Sequence, residues 1–325
     1  MYAVILAGGY ATRLWPITRH RPKMLLPVGG QTVIDRILTQ LEADDRIETV
    51  YLSTNERFAA DFRSHLADSE YDKPQLSVEK SVEEEQKLGV VGALAQLVAR
   101  EEIDDEDLLV VAGDNLISFD LSDFLDRFDE EGSSLIAAYD IGSWRKARQY
   151  GVVELDGEAV VDFQEKPDQP ASSLVSVACY AFPAADSQFE AYLAGDNNPD
   201  EPGWFIQWLR KRRRIRAFTF EDAWFDIGSP DGYLDAISWK LNGDTVVAET
   251  ATVENADLSG SVHIMDGATV TDATLERSIV FPEATVRSST LCRSIVDCHG
   301  IVEQIDLADG LIGAHSQLPA GEPSR

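Results

Sequence analysis

Two glycines, Gly8 and Gly9, directly follow the apolar run Tyr2–Leu6, and the basic side chains Arg13 and Lys23 come soon after them. A Gly-Gly turn at the carboxyl end of a strand lets backbone N–H groups approach a phosphate, and nearby cations neutralise its charge. For the glycines alone, a tight turn beside surface basic residues is the plainer reading. A second apolar run, Leu108–Ala112, ends in Gly113-Asp114-Asn115, and far downstream Trp224-Phe225-Asp226-Ile227-Gly228 carries another aspartate. Ligands of open α/β sheets bind where strands end, so two carboxylates brought there would chelate one Mg²⁺. Taken singly, an aspartate near a glycine is more often a turn former, and Glu165-Lys166-Pro167 alone reads as a surface turn.

The elements that must position these residues follow from the apolar spacing. From residue 1 to 243, short β-rich runs alternate with helical patterns, the signature of an α/β domain with a mostly parallel, Rossmann-like sheet. Candidate strands are 2–6, 49–53, 108–112, 135–139 and 174–182. Between the first two, Val33, Ile34, Ile37, Leu38 and Leu41 repeat at helical spacing, as do Phe58, Phe62 and Leu66 after the second. From 244 to 325 the pattern changes. Single aliphatics return at six-residue steps in the pairs Val247 and Val253, Ile264 and Val270, Val280 and Val286, and Val296 and Val302. The last three pairs begin sixteen residues apart, close to one three-sided coil, so this half is expected to be a short left-handed parallel β-helix of hexapeptide repeats. An ordinary antiparallel sheet is the other reading.

The whole string from Leu6-Ala7-Gly8-Gly9 through Arg13-Leu14-Trp15-Pro16 to Arg21-Pro22-Lys23-Met24-Leu25-Leu26-Pro27 resembles the signature of the nucleoside-diphosphate-sugar pyrophosphorylases. That family contains glucose-1-phosphate thymidylyl- and uridylyltransferases. Four further stretches match it in the same order: Leu88-Gly89-Val90-Val91-Gly92, Gly113-Asp114-Asn115, Tyr150-Gly151-Val152 with Glu165-Lys166-Pro167, and the segment around Asp226. The resemblance implies that Leu6, Ala7, Gly8, Gly9 and Gly89 hold the nucleotide, Arg13 the triphosphate, and Lys23 the phosphates near the reacting centre. It further implies that Asp114 and Asp226 are Mg²⁺ ligands, that Asn115, Gly151 and Glu165 contact the sugar, and that Lys166 binds the sugar phosphate. The implied reaction joins dTTP or UTP to a sugar 1-phosphate, glucose 1-phosphate by the same resemblance, and releases pyrophosphate. A phosphate oxygen is already anionic, so positioning and charge neutralisation suffice without a nucleophilic Ser or Cys.

The sequence departs from the family in three places. Val90 stands where a small hydroxyl residue is commoner, and the acidic run 83–86 obscures which side chain reads the base. Ser176-Val177-Ala178-Cys179-Tyr180 replaces an Asn-Ala-Gly stretch that lines the sugar. Pro202-Gly203-Trp204-Phe205-Ile206-Gln207-Trp208-Leu209 lacks the Glu-Leu-Glu-Ile-Thr-Asp segment of many relatives.

The chain of 325 residues carries 57 acidic against 28 basic side chains, a formal charge of −29, spread along its length. This points to a solvated acidic surface suited to high salt and argues against nucleic acid or anionic membranes as partners. The cysteines Cys179, Cys292 and Cys298 have no CxxC spacing, which suggests neither a disulfide framework nor a zinc site. No run approaches the ~20 apolar residues of a membrane span, and the start reads as a buried strand, so a cytoplasmic location is expected. The basic run 210–216 reads as a solvated helix end pairing with local acids, with a regulatory anion site or subunit contact as the other reading. His263, His299 and His315 raise the alternative of a bifunctional nucleotidyltransferase/acetyltransferase acting on an amino sugar phosphate; a regulatory subunit that binds nucleotide sugar without turnover is a separate alternative, expected to lack Arg13, Lys23 or one of the aspartates, all of which are present. Assembly into a homo-oligomer is expected, because β-helix ends and flanks are common contact surfaces.

Overall fold

The computed structural model describes residues 1–79 and 89–318. Two compact units emerge, one made of Met1–Gly9 with Ile34–Trp224 and the other of Tyr10–Val33 with Phe225–Arg325. This division by packing differs from the division by sequence pattern at residue 243, because the segments 10–33 and 225–243 pack with the second unit.

The first unit is built on a nine-stranded sheet. Its strands are β1 (Tyr2–Leu6), β2 (Thr49–Thr54), β3 (Pro74–Val78), β4 (Leu108–Ala112), β5 (Ser134–Asp140), β6 (Gly151–Asp156), β7 (Ala159–Glu165), β8 (Leu174–Phe182) and β9 (Ile215–Phe220). They lie in the order β3-β2-β1-β4-β8-β5-β9-β7-β6. Pairing is parallel from β3 through β4 and between β5 and β9. It is antiparallel where β8 enters between β4 and β5 and along the β6–β7 hairpin at the edge.

Helices α1 (Val33–Ala43), α2 (Ala59–Ala67), α3 (Gly89–Glu101), α4 (Leu121–Glu131), α5 (Trp144–Ala147), α6 (Phe189–Leu193) and α7 (Pro202–Arg210) accompany the sheet. The apolar positions expected of α1, Val33, Ile34, Ile37, Leu38 and Leu41, are all buried. Val91, Leu94 and Leu97 of α3, Phe189 and Tyr192 of α6, and Phe205, Ile206 and Leu209 of α7 share one core with Val4, Val110, Ile136 and Ala217 of the sheet. Phe218, the next residue on β9, points to the opposite face by strand alternation and meets Phe124 of α4 edge to face at 5.6 Å. Helices therefore cover both faces of the sheet.

Register explains the placement of the chemistry in this unit. Leu6 at the end of β1 lies opposite both Ser53 and Ala112, so the Gly8-Gly9 turn and Gly113-Asp114 leave the sheet at one edge. Amides of the emerging chains still bond across it, Ala7 N–H to Ser53 O at 2.7 Å and Gly113 N–H to Leu6 O at 3.0 Å.

The second unit contains α8 (Pro230–Lys240) and three parallel sheets. Each ladder repeats one aliphatic column: Val247, Ile264, Val280, Val296 and Ile312 in the first, Val253, Val270, Val286, Val302 and Leu318 in the second, and Leu258, Leu275, Leu291 and Leu307 in the third. The six-residue pairs from Ile264 onward are thus successive inward positions of a three-sided coil, while Val247 in the first coil is exposed; the arrangement is consistent with a left-handed β-helix and not with an antiparallel sheet. Its corners hold non-glycine residues at positive φ, among them Asp272, Ser288 and Gln304 along one edge. Each of these donates its N–H to a carbonyl one turn back, Glu254, Thr271 and Arg287 respectively, at 3.0 Å. The repeated bond offsets the strain of the left-handed conformation.

The segment 10–33 is tied to this scaffold. Arg21 pairs with Asp297, whose side chain is 2% exposed, and lies over the Phe281 ring at 4.8 Å from its centroid. The Tyr233 hydroxyl donates to Pro27 O at 2.7 Å. Removing one partner of a buried pair strands the other charge. Arg21→Ala is expected to destabilise this unit by about 3 kcal/mol, and adding Asp297→Ala should recover part of that loss. A urea-melt shift near zero for Arg21→Ala would show that the pair is no anchor.

Candidate functional site

In the second unit, three residues singled out from sequence converge on one glycine. A Cβ placed on Gly228 would lie 2.8 Å from Asp226 Oδ1, 2.9 Å from Arg13 Nη2 and 3.4 Å from Lys23 Nζ. Gly228 N–H already donates to Asp226 Oδ1 at 2.8 Å. The next residue, Ser229, caps α8 by accepting from Gly232 N–H at 3.1 Å, so the convergence sits at a helix start. Arg13 lies in a single 3-10 turn, Thr12–Leu14, set by Ala11 at φ 47° and by the Thr18 hydroxyl donating to Ala11 O at 2.8 Å. Lys23 opens a second such turn, Lys23–Leu25, and is buried. Two cations face one carboxylate here, and with the helix dipole this leaves a field suited to an anion.

In the first unit, the Gly8-Gly9 turn is braced from β2. Thr54 Oγ1 donates to Ala7 O at 3.1 Å and Asn55 Nδ2 to Gly8 O at 2.7 Å. Glu79 lies 3.1 Å from where a Gly8 Cβ would sit, and burial raises its pKa. No spacing in the sequence marks Glu79, because only the parallel β2–β3 pairing brings it there. Gly89, at φ +68°, starts α3. A Cβ there would fall 2.3 Å from Pro199 O, which also accepts Val91 N–H at 2.9 Å, so the position excludes any side chain. The neighbouring Leu88 and the acidic run 83–86 lie outside the described residues.

Asp114 follows β4 and is half-buried. Its neighbour Asn115 is buried, with Nδ2 donating to Val177 O at 2.5 Å and Oδ1 accepting from Trp224 Nε1 at 3.2 Å. In this state the amide of Asn115 is engaged by the protein itself. Among the described residues, no group of three or more His, Cys, Asp or Glu side chains is arranged to hold a metal.

The two expected acceptor stretches are partners in the β6–β7 hairpin, where Gly151 pairs with Glu165 and Val152 with Gln164. Lys166, at φ 45°, donates its N–H to Tyr150 O at 3.1 Å and pairs through Nζ with Glu201. Glu165 is buried between two glycines. A Cβ on Gly151 would approach its Oε2 to 3.0 Å, and one on Gly203 to 1.6 Å. Gln207 Oε1 accepts Glu165 N–H at 3.1 Å. The segment that departs from the family, 202–209, is therefore what encloses Glu165. Burial foremost, and then the charge of Glu201, push the Glu165 carboxyl up to about 7, against a smaller opposing effect of Lys166.

His299 and His315 occupy successive coils at one corner of the β-helix and stack at 4.8 Å, both at positive φ, while His263 is buried with its pKa lowered by desolvation. The three cysteines are free, and burial raises the Cys179 thiol. No helix among the described residues is long and apolar enough to cross a membrane.

Comparison with known proteins adds three findings. Residues 2–242 match the model of a family described as nucleotidyl transferase. A candidate mannose-1-phosphate guanyltransferase of Sulfolobus acidocaldarius is 29% identical over 286 residues, 86% of this chain and 75% of that one. A UTP–glucose-1-phosphate uridylyltransferase of Haloferax volcanii is 28% identical over 253 residues, 76% of this chain and 99% of that one. The fold resembles that of a candidate glucose-1-phosphate thymidylyltransferase from Bacillus anthracis, with a TM-score of 0.64 at 22% identity over 74% of this chain and 95% of that one.

Because the Glu165 carboxyl titrates near 7 when folded and near 4.5 otherwise, the folded state binds the extra proton between those values. Its contribution to stability is full below about pH 4.5 and is lost as pH rises through 7, a change of about 3 kcal/mol. Glu165→Gln should remove this decline from the stability–pH profile, and parallel profiles for the two proteins would refute the assignment.

Proposed function

Since the chain belongs to the nucleotidyl transferase family, we propose that it is a sugar-1-phosphate nucleotidyltransferase that makes a nucleotide sugar and pyrophosphate from dTTP or UTP and glucose 1-phosphate. The observation that carries this reading is the convergence of Arg13, Lys23 and Asp226 at Gly228, at the start of α8. A polyphosphate requires such a cationic, helix-capped cradle, and no nucleophilic side chain is part of it.

In the proposed reaction a phosphate oxygen of the sugar phosphate attacks the α-phosphorus in line and pyrophosphate leaves. Arg13 and Lys23 neutralise the triphosphate as charge builds on the departing group. Gly8 and Gly9 offer backbone N–H groups to the nucleotide at the end of β1, and Gly89 admits the base against the start of α3. Glu165, in its charged form, accepts hydrogen bonds from the sugar hydroxyls. Lys166 exchanges its partner Glu201 for the sugar phosphate. Carboxylate oxygens suit a hard cation, and Asp114 and Asp226 are the residues that would hold Mg²⁺. Bound there, Mg²⁺ would offset phosphate charge. Glucose 1-phosphate as acceptor is supported by the resemblance and by the names of the Haloferax and Bacillus proteins, while the Sulfolobus name carries mannose and guanosine.

Pyrophosphate release is to be measured with Mg²⁺ in high salt, across the common nucleoside triphosphates against glucose, galactose, mannose and glucosamine 1-phosphates. The strongest signal is expected for glucose 1-phosphate with dTTP or UTP. A strong signal for GTP with mannose 1-phosphate alone would overturn the substrate choice, and silence throughout from a folded sample would overturn the reaction. Asp114→Ala and Asp226→Ala should each remove most of the turnover with the fold intact, and near wild-type rates at saturating Mg²⁺ would refute the metal assignment. Gly228→Ala meets only the mobile ends of side chains, so it should displace Asp226 and Arg13 and reduce kcat about tenfold or more with a small stability change. An unchanged kcat would remove Gly228 from the site.

A further inference from the structure

Three of the six cations in the basic run 210–216 are committed to local ion pairs. Arg210 pairs with Asp162, Arg213 with Asp186, and Arg216 with Glu131 and Glu158, so these three cations serve the local structure. Among the described residues, no acidic side chain pairs with Lys211 or Arg212. Arg212 instead lies over the Trp208 ring, 4.1 Å from its centroid, and donates to Trp208 O at 3.1 Å.

Lys211 and Arg212 border a concavity of about 540 Å³ that Trp204, Trp208, Gln207 and Asn197 also line. This size is ordinary for a small-ligand site. The face presenting it follows from helical spacing, since positions 204, 207 and 208 of α7 and the capping residue 211 just past its end recur at three- and four-residue steps, while Phe205, Ile206 and Leu209 turn into the core. Gln207 gives its Oε1 to Glu165 N–H, which leaves its amide N–H groups for another acceptor. Tyr192 packs edge to face against Trp208 at 5.7 Å and holds the opposite wall through its hydroxyl, which donates to Asn198 O at 2.5 Å.

We propose that this pocket, set by Trp204, Trp208, Lys211 and Arg212, is a second ligand site that takes a phosphorylated sugar. The Trp204 indole offers a face to the C–H face of a sugar ring, Trp208, stacked on Phe205 at 5.9 Å, holds Arg212 in place, the amide N–H groups of Gln207 match hydroxyls, and the two cations match a phosphate. Asp196, also on the rim, opposes a highly charged polyphosphate, so the lining of two cations and one carboxylate suits few negative charges and not a triphosphate. In a chain of net charge −29, a local excess of positive charge is a specific device for an anion. The pocket also abuts the chain's other binding elements: its floor reaches Glu165 through Gln207, and its wall runs on to Pro199, whose carbonyl holds Val91 of α3.

The test is calorimetric titration of glucose 6-phosphate, whose phosphate is on the wrong carbon for transfer, into the full chain. The double variant Lys211→Ala/Arg212→Ala, made at two exposed positions, should weaken binding about tenfold or more, and Trp204→Leu should weaken it with both cations kept. Lys166→Ala should leave it unchanged. UDP-glucose forms the second arm. Two equivalents bound, one of them lost in the double variant, would identify the sugar of a nucleotide sugar as the ligand. The inference is overturned if Lys166→Ala and not the double variant abolishes glucose 6-phosphate binding, or if neither compound shows binding sensitive to the double variant. The readout is binding, so it stands apart from whether the transfer reaction proceeds as proposed.

Discussion

A carboxylate 2% exposed, Asp297, and the guanidinium that answers it, Arg21, hold the segment 10–33 onto the β-helix. A buried charge without a partner is expensive, so the coil can keep Asp297 only while the chain around Arg21 stays in place. The backbone N–H of Cys298 completes the arrangement at 2.7 Å. Nearby, Gly313 leaves room for Pro16, since a Cβ there would come within 2.8 Å of the proline ring. Arg13 and Lys23, which precede and follow these contacts in the chain, inherit their positions from them. The β-helix is therefore part of what shapes the proposed triphosphate cradle, and not an appendage to it.

The first unit solves a different problem, that of keeping a carboxyl group inside a packed site. Glu165 is enclosed because Gly151 and Gly203 have no side chains, and the backbone of Glu165 is fixed by Gln207. Burial that raises its pKa to about 7 leaves it poised between accepting and donating hydrogen bonds near neutrality. Lys166 sits at positive φ directly after it, so the chain reverses at the edge of the sheet and turns the ammonium toward Glu201. An ion pair this exposed contributes little to stability, which leaves Lys166 able to change partners at small cost.

Much of this was legible in the residues. The sixteen-residue return of Ile264, Val280 and Val296 is the β-helix, because a coil of constant length must present the same kind of residue at the same position of each turn. The alternation of apolar runs located β1, β4 and β8 with the same ends as in the structure, since buried strands have few alternatives to continuous β-branched and aliphatic sequence. Strands β6, β7 and β9 were less legible, as edge or half-exposed strands carry mixed polarity. The antiparallel entry of β8 between β4 and β5 leaves no local mark at all.

The sequence by itself determined the repeat, the alternating α/β pattern, and the string of glycines, cations and aspartates that resembles one family. These are properties of neighbours along the chain, set by strand and helix periodicity and by the conformational freedom of glycine. The tertiary structure alone decided that Arg21 serves Asp297, that Gly203 and Gln207 frame Glu165, and that Lys211 and Arg212 stand apart from the paired arginines beside them. Each of these depends on contacts between residues far apart in sequence, where the cost of burying or leaving unpaired a charge is settled by whatever the fold brings next to it.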